Sequence, residues 1–179
     1  ETPKEKRGKK LEVTVSTSCF VPKPFTPFQW EAQDTIEVLR EKQKILKNGI
    51  KNRAISYTWN DPELSFLEAV FSRGDRKTGE VLIKAWEKGC KFDSWDDNFK
   101  FDKWMEAFNE CGIDPAFYAN RKREYNEIFP WEHIDIGVTK QHLIRENKKA
   151  YKGELTENCR MNCTGCGAAI FGGGICFEH

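Results

Sequence analysis

Leu11-Glu-Val-Thr-Val-Ser-Thr-Ser-Cys-Phe-Val21 is the stretch on which the reading of the fold turns. Leu11, Val13, Val15, Cys19 and Val21 fall on one face, and Glu12, Thr14, Ser16, Ser18 and Phe20 on the other. Alternation with β-branched residues predicts a strand, and Pro22 and Pro24 end it because proline cannot donate to a ladder. Downstream, Thr26 suits an N-cap, Pro27 the first helical position and Gln29 the third position of a capping box. Ala32, Ile36, Leu39 and Leu46 share a helical face, closed by Asn48-Gly49. Arg53–Trp59 predicts a second strand with Ile55, Tyr57 and Trp59 on one side. Asn60, Pro62 and Glu63 open a second helix that carries Leu64, Leu67 and Phe71 to Gly74.

This order is strand, helix, strand, helix, with connections long enough for crossovers and parallel strands. Parallel strands need both faces covered, so two of them call for partner strands that the rest of the sequence does not supply. The middle of the chain is helical. Thr78–Gly89 and Phe101–Gly112 predict helices, Asp114-Pro115 a short one, and Thr139 caps a last helix ending at Gly153. The expected class is α/β turning to mostly α.

Composition narrows the function. The 179 residues carry a net charge of +1, which argues against a generally basic nucleic-acid binder. Aromatic residues at 13% argue for a packed core and against disorder. The basic runs Lys4–Lys10, Arg121–Arg123 and Lys148-Lys149 read as solvated faces. Lys23, between two prolines, reads as a solvated loop lysine. No apolar run approaches the length of a membrane span, and the opening residues lack a signal-peptide core. A cytoplasmic protein without a membrane partner is expected. The sequence opens on Glu1 in a charged stretch, so a processed chain or a piece of a longer one is expected.

Seven cysteines distribute unevenly: Cys19, Cys90 and Cys111 stand apart, while Cys159, Cys163, Cys166 and Cys176 crowd the end. Cys159-Arg-Met-Asn-Cys163-Thr-Gly-Cys166 is C-x3-C-x2-C, and Gly165 and Gly167 permit the tight turns that let thiolates converge. With Cys176 as fourth ligand the set suits zinc or a four-iron, four-sulfur cluster. His179 is a substitute imidazole ligand. Elsewhere, Glu132-His133 is a carboxylate–imidazole neighbour pair, but residues adjacent on an extended chain point apart, so a structural histidine is expected. Phe92, Trp95 and Phe99 are expected to pack on neighbouring helices, because the aspartates between them oppose a phosphate backbone. In Arg73-Gly-Asp75-Arg76, Asp75 and Arg76 are expected to form a loop ion pair or a cap with Thr78.

The C-x3-C-x2-C spacing also holds the catalytic cluster of radical S-adenosylmethionine (SAM) enzymes. There it comes after the first barrel strand, and too little sequence lies beyond Cys166 for a barrel, so these thiols are not expected to cleave SAM. Other segments nevertheless resemble that superfamily, and most of all the family joining a cobalamin-binding domain to a radical SAM domain. They are Val13–Trp30, with Pro22-Lys-Pro-Phe-Thr-Pro-Phe-Gln-Trp30; Ser72-Arg-Gly-Asp-Arg76; Phe129-Pro-Trp-Glu-His-Ile134; and Cys159–Gly167.

The resemblance implies a C-terminal part of a larger enzyme. Residues 1–74 would hold the last strands of a partial (β/α) barrel, 75–153 a helical extension and 154–179 a Cys-rich tail. The tail would bind an auxiliary iron–sulfur cluster, or zinc, and anchor substrate or relay electrons. SAM and cobalamin are implied for the full-length protein only, with Phe20 and Val21 on the adenine side of SAM. The partner implied is the remainder of the same polypeptide. Several radical SAM families modify RNA, so an RNA substrate stays open beside a protein one. The competing expectation is a free-standing structural-zinc module that docks protein or RNA.

Overall fold

The computed structural model describes residues 11–172. Two strands, β1 (Val13–Thr17) and β2 (Ile55–Trp59), pair in parallel, with Val13 opposite Ile55, Val15 opposite Tyr57 and Thr17 opposite Trp59. The first strand is shorter than the alternation suggests, because the chain leaves the ladder at Ser18, ahead of the prolines. Neither strand contains a buried residue. Thr14 and Ser56 join through their hydroxyls, Thr17 reaches the Tyr57 hydroxyl, and Lys47 lies over the Trp59 ring.

The first crossover helix, α1 (Ile36–Gly49), starts about two and a half turns later than expected, capped at Thr35 and not at Thr26. The Thr35 side chain accepts from the Val38 amide. Tertiary bonds override the local signal over residues 31–35. The Gln33 amide donates to Ala119 O, and its side chain donates to Phe20 O and Ser65 O. Asn120 in turn donates to the carbonyls of Gln33 and Asp34. A helix from Thr26 would break this set.

The remaining helices are α2 (Pro62–Ser72), α3 (Thr78–Glu87), α4 (Phe101–Glu110), α5 (Pro115–Ala119) and α6 (Lys140–Lys152). Asp61, and not Asn60, caps α2 by accepting from the amides of Glu63 and Leu64. Asp114 caps α5 and Thr139 caps α6, as the sequence indicates. Gly153 ends α6 at φ 69°, a conformation that costs glycine little.

The larger core draws α2 together with α3, α4 and α5 around Phe66, Val70, Val81, Trp104 and Phe108. Packing therefore runs continuously across residue 74. A second, smaller core gathers Trp30, Phe129, Trp131 and Leu143 under α6. Among the described residues no helix is long and apolar enough to cross a membrane.

Candidate functional site

The cysteine loop rests on the start of α6. The Thr139 amide, at the helix cap, donates to Cys166 O at 2.9 Å. Nearly two turns on, Arg145 donates from Nη2 to Thr164 O at 2.7 Å and also meets His142 Nδ1 at 3.0 Å. Gly167, at φ 100°, lies so close that a Cβ there would stand 2.6 Å from Gly137 O. Only glycine fits that approach without moving the loop. Past this turn the Ala168 amide donates to Cys166 Sγ at 3.4 Å.

Cys166 is half-buried, whereas Cys159 and Cys163 are exposed. Among the described residues no three His, Cys, Asp or Glu side chains converge closely enough to hold a metal ion. Cys176 and His179 lie outside the described residues. The donor set itself suits a thiophilic metal: three thiols within eight residues, one already accepting a backbone N–H. Thiol sites commonly close only as the metal binds.

Phe20 and Val21 part company where β1 leads into the prolines. Val21 packs against the larger core. The Phe20 ring stays 46% exposed and meets Phe28 edge-on at 6.0 Å. Beside it, Thr17, Cys19, Asp34, Lys42 and Gln43 line a shallow recess at the carboxyl end of the strand. Asp34 pairs with Lys42, and Gln43 donates to Asn60 O. Lys23 is not simply solvated: it forms an exposed ion pair with Glu68 on α2.

A cleft of about 230 Å³ opens over the smaller core. Its floor joins two distant segments. Gln29 Oε1 accepts from the Phe25 amide and from Trp131 Nε1, both at 3.0 Å. Phe25 sits at φ 58°, an unusual conformation for a residue with a side chain. Sequence reasoning missed this arrangement. It placed Gln29 in a capping box, and no spacing signal links it to Trp131.

Glu132 on the cleft wall accepts from Lys140 Nζ and from the Phe129 amide. The Lys140 bond first, then the Phe129 amide, holds its carboxyl below the usual carboxylate range. Glu132 is thus engaged with Lys140, and His133 is exposed beside it. The two make no acid/base pair, in keeping with their divergent directions on the chain.

Arg123 overturns the reading of Arg121–Arg123 as a solvated face, whereas Lys148 is exposed and Lys4–Lys10 lies outside the described residues. Arg73, apart from these runs, is buried with Arg123, and completely so. Arg73 donates to Ala119 O and Arg121 O, tying the end of α2 to the segment after α5. Burial, then the neighbouring Arg123 and Arg121 charges, pulls its guanidinium down to about 10. Arg123 lies over the rings of Phe129 and Trp131 at 5.3 and 5.4 Å. Arg121 is spent on a two-bond ion pair with Glu127. Asp75 does not pair with Arg76. It forms a turn, accepting from the Lys77 amide and the Tyr118 hydroxyl, while its carbonyl takes the Thr78 hydroxyl.

The aromatic loop also departs from expectation. Phe99 packs on the larger core, but Phe92 and Trp95 are 72% and 68% exposed. Phe92 adopts φ 59°, an unusual conformation for a residue with a side chain.

The chain matches no protein-family model, no curated protein and no solved structure.

Proposed function

We propose that the chain is the C-terminal part of a radical SAM enzyme of the cobalamin-binding type. Its Cys159, Cys163, Cys166 and Cys176 hold an auxiliary iron–sulfur cluster, with zinc as the competing metal. The observation that carries the metal reading is the Ala168 amide donating to Cys166 Sγ on a loop fixed by Thr139, Arg145 and Gly167. An N–H aimed at sulfur stabilises a ligating thiolate and tunes what it binds.

In this reading Cys166 is the anchored ligand, and the exposed Cys159 and Cys163 close on the metal as it arrives. An iron–sulfur cluster there would supply electron transfer or a substrate anchor; zinc would supply a structural cross-link. Arg145 holds the loop backbone in place, and the glycines let it turn. Alone the chain does not cleave SAM.

Support for a larger parallel sheet comes from β1 and β2. Parallel strands are ordinarily covered on both faces, and here neither strand buries a residue. Upstream barrel strands of the same polypeptide would cover them. Phe20, exposed at the strand end against Phe28, suits the adenine side of SAM in the full-length enzyme.

The test is anaerobic purification, iron–sulfur reconstitution and metal analysis. A brown protein with bound iron and sulfide is expected, and Cys163→Ser removes most of the metal. A colourless protein carrying one equivalent of zinc would favour the free-standing interaction module. Full metal retention in Cys163→Ser overturns both metal readings.

A further inference from the structure

The cleft over the smaller core has a polar group with nothing to bind. Gln29 is only 4% exposed. Its side-chain oxygen is identified without ambiguity, because both of its partners, the Phe25 amide and Trp131 Nε1, are N–H donors. The other end of the amide is therefore the NH2 group. It makes no hydrogen bond among the described residues. It is also not sealed in the interior, unlike Trp30 Nε1 and Gln33 Oε1. Gln29 lines the cleft, so its free donor opens there. A donor held this rigidly asks for an acceptor from outside.

The surroundings say what kind. Phe25, Phe129 and Trp131 form aromatic walls, and the last two rings stand 4.8 Å apart at 37°. Two carboxylates, Glu132 and Asp135, line the cleft with one ammonium, Lys140, and the His133 imidazole. Lys140 is already committed to Glu132 and to Glu127 O. An anion would meet unfavourable charge, whereas a neutral carbonyl would not. The volume of about 230 Å³ suits a single ring and its substituent.

We infer that this cleft binds a neutral, planar aromatic group bearing a carbonyl oxygen, which accepts from Gln29 Nε2. The inference stands apart from the metal reading, since no cysteine takes part.

Benzamide and benzoate are the probes, read by two-dimensional proton–nitrogen spectra of the full chain. Millimolar benzamide shifts the Trp131 indole N–H and the Gln29 side-chain signals, and benzoate binds more weakly. Gln29→Glu keeps an oxygen for Phe25 and Trp131 but loses the donor, so benzamide affinity falls about fivefold or more. Ile136→Phe narrows the cleft without touching Gln29 and also weakens binding, which covers the case in which Gln29→Glu does not fold. Unmoved Trp131 and Gln29 signals, benzoate binding as tightly as benzamide, or unchanged affinity in either folded variant would overturn the inference.

Discussion

Arg123 donates from Nη2 to the carbonyl of Arg73 at 3.1 Å, and both side chains lie inside the protein with no carboxylate in contact among the described residues. Arg73 Nη1 and Nη2 and Arg123 Nη2 serve backbone carbonyls instead, while the Nε of each is buried without a partner among the described residues. The pair thus splices the end of α2 to the chain after α5. Arg73→Ala would leave the Arg121 carbonyl unpaired, strip the Ala119 carbonyl of one of its two donors (the Gln33 amide remains) and open a cavity. A loss of about 3 kcal/mol is expected in urea unfolding. Arg73→Lys, which lacks the planar fork, should lose roughly half as much. A loss below about 1 kcal/mol in Arg73→Ala would show that the splice is not structural.

Glu127 gives the acid dependence. Its hydrogen bonds from Arg121 hold the carboxyl below the ordinary glutamate range. A lowered folded value means that the stabilisation is complete above the unfolded value of about 4.3. It is lost as the pH falls through the folded value. Glu127→Gln should therefore cost about 1 kcal/mol near neutrality and nothing in strong acid. Thermal unfolding from pH 7 to pH 3 reads the difference, and parallel curves would refute it.

Gly167→Ala tests the docking of the cysteine loop. The added methyl would strike Gly137 O, and the left-handed backbone is itself unfavourable for alanine. The loop should lift from α6, freeing the Thr139 amide from Cys166 O. Faster hydrogen exchange at Thr139 is the expected signature, with the larger core unaffected. Unaltered protection at that amide would mean that the loop tolerates the side chain.

Protection should be uneven across the fold. Ladder amides between β1 and β2 lie under no buried side chain, whereas Val70 and Ala107 are fully buried on α2 and α4. Exchange should be at least about a hundredfold faster in the strands than at those helical sites. Equal protection would indicate that the sheet is stable as it stands.

The local grammar of the chain was legible where it did not compete with distant bonds. Thr139 and Gly153 mark the ends of α6, and Asp114 opens α5, through their own side-chain or backbone preferences. Alternation gave both strands and the crossover order gave their parallel pairing. Thr26-Pro27 carries an equally good helix signal and fails, because Gln33 and Asn120 hold the next residues in another shape. The cleft was hidden for a similar reason: Gln29 and Trp131 meet across about a hundred residues, and neither has local spacing that reveals the other. The thiols were visible as a pattern. Their anchoring by Arg145 and Thr139 was not, since it depends on how α6 is placed.

The open edges of the two strands also govern how the chain behaves as a material. Each of β1 and β2 has one neighbour among the described residues, so each presents a second row of backbone donors and acceptors. Such rows recruit extended segments from other molecules. Val13 and Trp59, 43% and 40% exposed, add apolar surface at the same place. Concentrated solutions of this chain will self-associate through the sheet, and a lysine placed at Val13 will keep them clear.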